Sequence, residues 1–358
     1  MKILVTGNLG YVGPCVIARL RAAFPAARLT GLDAGYFADA LLDPASLPNP
    51  LPDEQILDDV RDIDEGRLNG VTSVVHLAGI SNDPIGNQFE NVTGRVNHEA
   101  TVALARNARL AGATSFVFAS SCSLYGFAED GARSESSAAN PLTAYARSKY
   151  AAECALRGLA SRDFPITCLR FATACGSSPR LRLDLVLNDF VSTAVATGEI
   201  RILSDGTPWR PLIDVTDMAR AIEWAITRPA ESGGEFLAVN AGSNEWNYQV
   251  KDLAAAVAAA LPGTTIRINP DAQPDKRSYK VCFDLFRRLA PRHQPEKKLD
   301  DTIDGLVCAL ERAGAGKPDF ARDRYVRLKA LLALRDKGLL DAEMRWTAVA
   351  SAEPIEAL

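Results

Sequence analysis

The N-terminal segment of the chain constrains its fold more than any other. The sequence MKILVTGNLGYVG reads as a short apolar strand that runs directly into a glycine-rich turn and then into a helix. Gly7 permits the tight turn, Gly10 lets the backbone approach a pyrophosphate, and Gly13 allows the helix to pack closely. Because the N-terminus of that helix offers unpaired N–H groups to an anion, the segment predicts a dinucleotide-binding turn.

An acidic residue follows the turn at the spacing that dinucleotide-binding domains use. The second strand-like segment, ARLTGLD, ends in Asp33, about 20 residues beyond the glycines. An acidic side chain at this point would hold the hydroxyls of a ribose, which favours NAD over NADP. The alternative structural role for Asp33 is to cap a loop.

Apolar strand-like segments alternate with amphipathic helical ones along the first half of the chain. The strand-like segments are KILVTG, ARLTGLD, SVVHLAG, SFVFASS and ITCLRFAT. The alternation predicts an α/β fold with a doubly wound parallel sheet of the Rossmann type over residues 1–176, with later returns at about 201–242. Residues 177–200 and 243–345 are expected to form a smaller, interleaved substrate-binding lobe and a terminal helix. The prolines between Pro44 and Pro52 predict a surface loop.

The composition is that of a large soluble enzyme. The chain has 358 residues, of which 47% are hydrophobic and 23% charged, and its net charge of -4 gives no indication of nucleic-acid binding. The seven cysteines and three histidines show no metal-ligand spacing, so buried reduced thiols and no metal site are expected. Because no apolar run approaches a membrane span in length, we expect a cytoplasmic protein with no membrane partner.

A tyrosine and a lysine lie one helical turn apart in the segment PLTAYARSKYAAE. On a helix, Tyr145 and Lys149 share one face because they are four residues apart. A phenol is a poor base at neutral pH, but a nearby ammonium favours the phenolate and lowers its pKa. The pair therefore predicts proton chemistry, and the alternative is a chance spacing on a surface helix.

The order of these motifs along the chain resembles that of the extended short-chain dehydrogenase/reductases, and specifically the NAD-dependent nucleotide-sugar epimerase/dehydratase family. The resemblance spans most of the chain. It implies NAD as the cofactor, a nucleotide-diphosphate sugar as the substrate, and a homodimer that forms through the helix with the Tyr-Lys motif and the helix before it. The segments that carry the resemblance are TGNLGYVG, DDVRD, HLAG, RVNHEAT, FASSCSLYG, AYARSK, LRFATACG and WRPLIDVTDMARA.

The resemblance extends the cofactor site beyond the glycine turn. It implies that Asp59 and Val60 border the adenine, that Asn97 supports the cofactor trough from a helix, and that Ala172 lies beside the nicotinamide. Leu77 and Ala78 would line the trough, although any buried strand end has residues of this kind. The cofactor-binding residues expected from the motifs and the resemblance together are Gly7, Asn8, Leu9, Gly10, Tyr11, Val12, Asp33, Asp59, Val60, Leu77, Ala78, Gly79, Asn97, Ser120, Tyr145, Lys149 and Ala172.

Ser121 is the third candidate catalytic residue. It ends the segment SFVFASS, and parallel sheets bind ligands at the carboxyl ends of their strands. Ser120 and Ser123 compete for the role, and the family's spacing to the following tyrosine selects Ser121. In the mechanism that the resemblance implies, Tyr145 takes a proton from a sugar hydroxyl, Lys149 lowers its pKa and holds the ribose, and hydride passes to NAD.

Two departures from the family pattern bear on the reaction. The family's 4,6-dehydratases carry Asp and Glu directly after the catalytic hydroxyl, whereas this chain has Cys122 and Ser123. Neither side chain replaces a carboxylate as an acid and base. A 4-epimerase that works through a 4-keto sugar is therefore the best interpretation. The alternatives are a nucleotide-sugar 4-ketoreductase, dehydrogenase or 4,6-dehydratase, a dehydrogenase of a non-nucleotide polyol or uronate, and a non-catalytic NAD-sensing protein.

Substrate-binding residues are expected mainly from the second lobe. Arginines pair with phosphate oxygens through a planar fork, and the resemblance makes Arg210 the best of them, although solvated surface charge is the alternative for Arg180 and Arg182. Asp214 is expected to point away from the site or to cap the following helix. The candidates for substrate contact are Ser81, Ser121, Ser123, Thr173, Arg180, Arg182, Asn188, Arg210 and Arg277.

Overall fold

The computed structural model describes residues 1–43, 50–81, 83–128, 131–269, 272 and 278–347. Its strands are short and mostly buried, as expected of a sheet that helices cover on both faces. They are β1 (Lys2–Thr6), β2 (Arg28–Asp33), β3 (Glu54–Leu57), β4 (Ser73–His76), β5 (Ser115–Ser121), β6 (Ala132–Arg133), β7 (Ile166–Phe171), β8 (Thr173–Cys175), β9 (Glu199–Ile202), β10 (Trp209–Asp214), β11 (Phe236–Ala241), β12 (Asn247–Gln249), β13 (Thr265–Ile268) and β14 (Lys280–Val281).

Several helices begin and end where the sequence supplies a cap. The Thr143 hydroxyl accepts from the Ala146 amide at the start of α5, and Asp214 accepts from the Thr216 amide at the start of α7, so the cap expected at Asp214 is confirmed. The helices are α1 (Gly13–Ala23), α2 (Asp83–Gln88), α3 (Glu90–Gly94), α4 (Ala100–Leu110), α5 (Ala144–Arg157), α6 (Val186–Thr197), α7 (Val215–Thr227), α8 (Val250–Ala260), α9 (Asp284–Leu289), α10 (Leu299–Arg312) and α11 (Arg327–Asp336).

Seven parallel strands of the described chain form the central sheet, in the order β11-β7-β5-β4-β1-β2-β3. The prediction of a doubly wound parallel sheet is confirmed, and all five strands expected from the sequence belong to it. Sequence reasoning missed the two edge strands, β3 and β11. Their segments, EQIL and FLAVNA, are short and contain few β-branched residues, and β3 is only half buried.

Alternate residues of the strands build a separate core on each face of the sheet. Along β1, Ile3 and Val5 pack with α1 and α7, whereas Leu4 packs with α4 and α5 on the opposite face. The carboxyl ends of β1, β2, β4 and β5 therefore meet at one edge, which is where a sheet of this class binds ligands.

A second lobe covers that edge. Its core contains buried apolar residues of α6, α8 and α10, among them Leu187, Leu253 and Leu306. Two small sheets accompany these helices: β12-β10-β8, in which β8 and β10 are parallel, and the parallel pair β13-β9. Strand β8 follows β7 after one residue, so the chain passes from the central sheet into the lobe beside the ligand-binding edge.

The C-terminal segment is less helical than the sequence predicts. A 3-10 turn over Arg322–Tyr325 precedes α11, and the chain then turns at Gly338, with φ 72°, into a bridge that pairs Leu340 with Trp346. This segment returns to the central sheet, where the Tyr36 hydroxyl donates to the Met344 carbonyl. It therefore closes one side of the ligand-binding edge.

Two further observations concern the chain as a whole. Among the described residues, we find no helix that combines the length and the apolar character needed to cross a bilayer. All seven cysteines are free thiols. The expectation that they are buried is wrong for Cys154 and Cys308, which are exposed because α5 and α10 are amphipathic and turn these positions outward.

Candidate active site

The glycine-rich turn is held tightly against the end of β4. Gly7 has φ 73°, and a Cβ on it would lie 2.5 Å from the amide nitrogen of Ala78. A Cβ on Gly13 would lie 2.2 Å from the carbonyl oxygen of Asn8, so α1 begins as close to the turn as the backbone allows. Side chains are therefore excluded at both glycines, so no side chain at these positions covers the backbone of the turn.

Asp33 connects the turn to the loop that follows β2. Its Oδ2 accepts a hydrogen bond of 2.9 Å from the Leu9 amide, and its Oδ1 accepts one of 2.8 Å from the Gly35 amide. Burial raises the pKa of this carboxyl, while the two amides and the charges of Arg180 and Arg327 oppose the rise. The carboxylate caps the loop and also lines the main cavity, so the two roles expected of it are compatible.

The trough wall after β4 is fixed from the opposite side by Asn97. Its Oδ1 accepts from the Ile80 amide at 2.7 Å, and its Nδ2 donates to the Ile80 carbonyl at 2.9 Å and to Ser148 Oγ at 3.1 Å. Asn97 lies in a π-helical turn over Arg95–Glu99, which turns the amide toward the strand end. It therefore supports the trough from a helix, as expected.

His76 is a structural residue at the end of β4. Its Nδ1 lies 2.7 Å from Thr6 Oγ1 and its Nε2 lies 2.8 Å from Thr101 Oγ1. The ring is fully buried, and burial, together with the charge of Lys149, lowers its pKa to about 3. The imidazole is neutral at working pH and ties β1 and α4 to β4.

Tyr145 and Ser121 meet at the carboxyl end of β5. Tyr145 lies in the first turn of α5, and the side chain of Ser121, the last residue of the strand, is near enough to lower the pKa of the phenol. Ser121 Oγ also accepts from the Ser123 amide at 3.1 Å, which fixes its orientation. A substrate hydroxyl that reaches Ser121 also reaches the phenol of Tyr145.

The electrostatics around Tyr145 differ from the expectation. Burial raises the pKa of Tyr145, and the largest opposing influences are the neighbouring side chain of Ser121 and the charge of Arg182, not Lys149. Lys149 Nζ instead donates to the Ala119 carbonyl at 2.8 Å and lies 4.6 Å from the centroid of the Phe118 ring. Burial lowers the pKa of Lys149 to about 8.

The Ser120 hydroxyl is bound to a buried ion pair. It donates to Glu153 Oε1, and Arg170 Nη2 lies 2.7 Å from Oε2 of the same carboxylate. Glu153 lies on α5, the helix that carries Tyr145 and Lys149. Because Glu153 already binds the Ser120 hydroxyl, Ser121 is the better candidate for the third catalytic residue.

The two positions after Ser121 have different surroundings. Cys122 Sγ donates to the Arg170 carbonyl at 3.0 Å, and burial raises the pKa of this thiol well above its usual range. Ser123 lines the cavity, and its Oγ has no hydrogen-bond partner within the described chain. Neither residue offers a carboxylate, and only Ser123 offers a hydroxyl to a ligand.

Arg182 comes close to Tyr145 from the second lobe. Its Nε and Nη2 pair with the two carboxylate oxygens of Asp184 at 3.0 and 2.9 Å, and its Nη1 donates to Ser81 Oγ at 3.0 Å. Burial disfavours its charge, but Asp184 and Tyr145 keep the pKa of this guanidinium raised. A permanent cation therefore lies close to Tyr145.

One cavity of about 830 Å³ joins these features. It runs from the glycine turn, past Tyr145, to Arg210 on β10, and its size is in the range of ligand-binding pockets. The predicted site residues that line it are Gly7, Gly10, Tyr11, Val12, Asp33, Asp59, Val60, Leu77, Ala78, Gly79, Ser81, Ser120, Ser121, Ser123, Tyr145, Lys149, Ala172, Thr173, Arg182 and Arg210.

Some predicted cofactor-binding residues lie behind this lining. The Asn8 side chain donates to Gln55 Oε1 at 2.6 Å, and Leu9 is buried in the core and bonds Asp33 through its backbone. Asn97 acts through Ile80, as described above. Their side chains support the cavity wall from behind.

The structure also places two predicted substrate-binding residues outside the lining. Arg180 Nε and Nη2 donate to the Ala38 carbonyl at 3.3 and 3.2 Å, so its guanidinium binds the loop after β2. Asn188 is fully buried, and its Oδ1 accepts from the Gly176 amide at 3.0 Å. Both are structural contacts between the lobe and the sheet. Arg277 lies outside the described residues.

Sequence reasoning missed several residues that line the cofactor end of the cavity. Tyr36 and Phe37 follow Asp33 in the segment DAGYFAD, where an aromatic pair soon after the acidic residue was a usable signal. Arg327 and Met344 come from the C-terminal segment. No local pattern marks them, because only the tertiary fold brings that segment to the sheet.

The residues of this end of the cavity suit a dinucleotide. The bare backbone of the turn suits a diphosphate, Asp33 presents a carboxylate where a ribose would lie, and the trough at Leu77, Ala78 and Gly79 is apolar. When bound at the carboxyl edge of the sheet, NAD supplies a hydride acceptor and donor.

Comparison with known proteins agrees with this geometry. UDP-glucose 4-epimerase of Pasteurella multocida is 26% identical over 298 residues, which span 72% of this chain and 81% of that protein. dTDP-D-glucose 4,6-dehydratase of Mus musculus is 25% identical over 232 residues, which span 63% of this chain and 65% of that protein. The two relatives catalyse different reactions, so identity at this level does not fix the reaction.

Solved structures show the same fold. UDP-glucose-4-epimerase from Stenotrophomonas maltophila, with bound NAD and formylated UDP-arabinopyranose, superposes with a TM-score of 0.76 at 20% identity, over 88% of this chain and 100% of that one. A model of the NAD dependent epimerase/dehydratase family matches residues 3–242. The chain therefore belongs to the NAD dependent epimerase/dehydratase family of enzymes.

Proposed function

We propose that the chain is a nucleotide-sugar 4-epimerase that works through a 4-keto sugar. The proposal is carried by one observation: Tyr145, Ser121 and Lys149 line the same cavity, and the two residues after Ser121 offer no carboxylate. A site of this kind can move the proton of a carbinol, and it lacks the acid and base that the family's dehydratases carry after the serine.

Each half of the proposed reaction moves one proton through Tyr145. In the first half, the phenolate oxygen of Tyr145 accepts the proton of the sugar 4-hydroxyl while Ser121 hydrogen-bonds the same oxygen, and the hydride on C4 leaves for the nicotinamide. In the second half, Tyr145 returns the proton to O4 as the hydride returns to the opposite face of C4. Proton and hydride are both conserved, so the reaction needs no second substrate.

The charges near Tyr145 support both halves. Burial favours the protonated phenol, which is the form needed to protonate O4 in the second half. The neighbouring side chain of Ser121 and the charge of Arg182 favour the phenolate, which is the form needed in the first half. These opposing influences suit a group that has to act as base and acid in turn.

The sugar nucleotide is assigned to the far end of the cavity. Arg210 and Thr173 line that end on β10 and β8, and the unpartnered hydroxyl of Ser123 lies between them and Tyr145 in our proposal. A guanidinium suits a diphosphate and a hydroxyl suits a sugar. Arg182, bound to Ser81, would face the sugar from the side of the second lobe.

A second candidate function is 4,6-dehydration, which one observation favours. Asp83 lines the cavity, accepts a hydrogen bond of 2.6 Å from Thr143 Oγ1, and contributes to the raised pKa of Tyr145. This carboxylate comes from α2 and not from the position after Ser121, but a carboxylate close to the sugar is what water elimination requires.

Isotope tracing separates the candidates. The full-length protein with NAD is incubated with UDP-, dTDP-, CDP- and GDP-sugars that carry deuterium at C4, and the products are analysed by mass spectrometry and NMR. A 4-epimerase retains the deuterium at C4 of the inverted sugar and leaves the amount of NADH unchanged. Loss of one water from the sugar would identify a dehydratase, and net production or consumption of NADH would identify a dehydrogenase or reductase.

A binding measurement tests the substrate class independently of turnover. A nucleotide-diphosphate sugar that occupies the cavity stabilises the folded protein, so its melting temperature has to rise with ligand concentration. If no UDP, dTDP, CDP or GDP compound raises it, while NAD does, the nucleotide-sugar proposal is wrong and a free polyol or uronate becomes the substrate class to test.

A further inference from the structure

Arg327 is a buried arginine that has an unused hydrogen-bond donor. It is the first residue of α11 and is 2% exposed. Its Nη2 donates to the Arg180 carbonyl at 3.2 Å, and its guanidinium lies 4.0 Å from the centroid of the Phe37 ring. Its Nη1 has no hydrogen-bond partner among the residues that the structure describes.

The charged groups around Arg327 do not neutralise its positive charge. Its strongest electrostatic neighbours include two further arginines, Arg182 and Arg180, and two carboxylates, Asp184 and Asp33. Asp184 already pairs with Arg182 through both oxygens. Asp33 already accepts hydrogen bonds from two backbone amides. Burial, together with the charge of Arg182, lowers the pKa of Arg327 to about 9, so the protein itself does not neutralise this cation.

A buried cation without a partner is costly, and a fold that keeps one presents it to something that pairs with it. Arg327 lines the same cavity as Gly7, Gly10 and Asp33. The group that it faces is therefore one that enters this end of the cavity and carries negative charge. A guanidinium offers such a group a planar fork of donors.

We propose that Arg327 is a cofactor-binding residue, and that its Nη1 pairs with the diphosphate of the bound dinucleotide from the side opposite the glycine-rich turn. Asp33 beside it would repel an additional phosphate on the ribose, so the diphosphate is the anion that fits. Arg327 lies beyond residues 3–242, the part of the chain that the family model matches. The C-terminal segment thus contributes directly to the NAD site, whichever sugar the enzyme converts.

Binding measurements on two variants and a matched control test this assignment. Bound cofactor is removed from the full-length protein, and the dissociation constants of NAD, ADP-ribose and adenosine are measured by calorimetry. Arg327→Met is expected to weaken the binding of NAD and ADP-ribose by about 10- to 100-fold, which is the range for a lost hydrogen bond to a charged group. Adenosine, which has no phosphate, is expected to bind wild type and Arg327→Met equally. Arg327→Lys keeps the charge without the planar fork of donors, so its affinity for NAD and ADP-ribose should lie between those of wild type and Arg327→Met.

Arg335 provides the matched control. It lies in the same helix and stacks on an aromatic ring, that of Phe89, at 5.0 Å, but it does not line the cavity. Arg335→Met is expected to leave all three dissociation constants unchanged. The melting temperature of the cofactor-free proteins is the second measurement, because removing an unpaired buried cation should not destabilise Arg327→Met relative to Arg335→Met.

Several outcomes would overturn the proposal. If Arg327→Met weakens the binding of adenosine and of ADP-ribose equally, Arg327 is a structural residue. The same conclusion follows if the melting temperature of Arg327→Met lies far below that of the control. Weaker binding of UDP with unchanged binding of NAD would assign the cation to the substrate. If wild type binds NADP at least as tightly as NAD and Arg327→Met loses that binding alone, the cation serves a ribose phosphate. If Arg327→Met does not fold, Arg327→Lys decides, since unchanged affinity for ADP-ribose contradicts the pairing.

Discussion

Glu153 and Arg170 form an ion pair of 2.7 Å beneath β5, with side chains only 3% and 9% exposed. Arg170 Nε also donates to both carboxylate oxygens, each at 3.1 Å, and the Ser120 hydroxyl donates to one of them. The pair thus holds β5 from below, one residue before Ser121. A buried salt bridge thus orders the strand that ends in the candidate catalytic residue Ser121.

We expect Glu153→Gln to destabilise the protein by about 3 to 5 kcal/mol, because it leaves the Arg170 charge buried without its partner. Urea unfolding of the two proteins measures the difference. The matched control is Glu231→Gln, which breaks the Arg162–Glu231 pair, whose side chains are 77% and 66% exposed, and it should change stability by less than about 1 kcal/mol. Equal effects at the two positions would contradict the structural role given to Glu153.

We expect Gly7→Ala to abolish NAD binding, because the new methyl group would collide with the Ala78 backbone 2.5 Å away in addition to straining a residue at φ 73°. Gly70→Ala is the control for backbone strain alone, since Gly70 has φ 71° and no described residue lies within 4 Å of the added methyl group. It should cost about 1 kcal/mol in stability and leave NAD affinity intact. NAD calorimetry and melting temperatures of both variants check this. Loss of NAD binding in Gly70→Ala would show that backbone strain alone accounts for the effect.

Tyr145→Phe removes the proton that the proposed reaction moves. We expect turnover to fall by at least about 100-fold, the usual contribution of a positioned acid and base, while NAD affinity changes little. Tyr150→Phe is the control, because Tyr150 lies in the same helix but does not line the cavity. Steady-state kinetics and NAD titration measure the two effects separately. If Tyr145→Phe keeps more than a few per cent of wild-type turnover, Tyr145 is not the acid and base of the reaction.

His76 should make stability depend on pH. Burial lowers its pKa from 6.5 to about 3, so between these values the unfolded chain binds a proton that the folded protein does not. The free energy of unfolding therefore decreases as the pH falls through this window, by up to about 1.4 kcal/mol per pH unit from this residue. In urea titrations from about pH 7 to about pH 5, His76→Gln should show a shallower decline than wild type. Parallel curves would mean that other groups cause the acid sensitivity.

Local sequence patterns predicted the parts of the site that lie close together along the chain. The glycine turn, the acidic end of β2, the Tyr-Lys helix and the cap at Asp214 all depend on a few consecutive residues whose chemistry has one favoured arrangement. The central strands could also be predicted from the sequence, because burial on both faces makes them continuous apolar segments.

The remaining features depend on contacts between distant segments. The sequence does not reveal that the side chain of Asn188 is hydrogen-bonded to the Gly176 amide, or that the side chain of Arg180 is hydrogen-bonded to the Ala38 carbonyl. The same holds for Arg327, which reaches the cavity from the far end of the chain. The pKa of Tyr145 is a further example, because its sign follows from the degree of burial and from Arg182, neither of which is visible in the Tyr-Lys spacing.

The double use of Asp33 limits how this enzyme can change its cofactor. A cationic residue in its place would attract a phosphorylated ribose, but it would leave the amides of Leu9 and Gly35 without the acceptor they now share. The phosphate-binding turn would then lose the contact that orders it. We therefore expect a switch in cofactor preference to require at least one compensating change elsewhere, and single substitutions at this position to give first a protein that binds neither dinucleotide well.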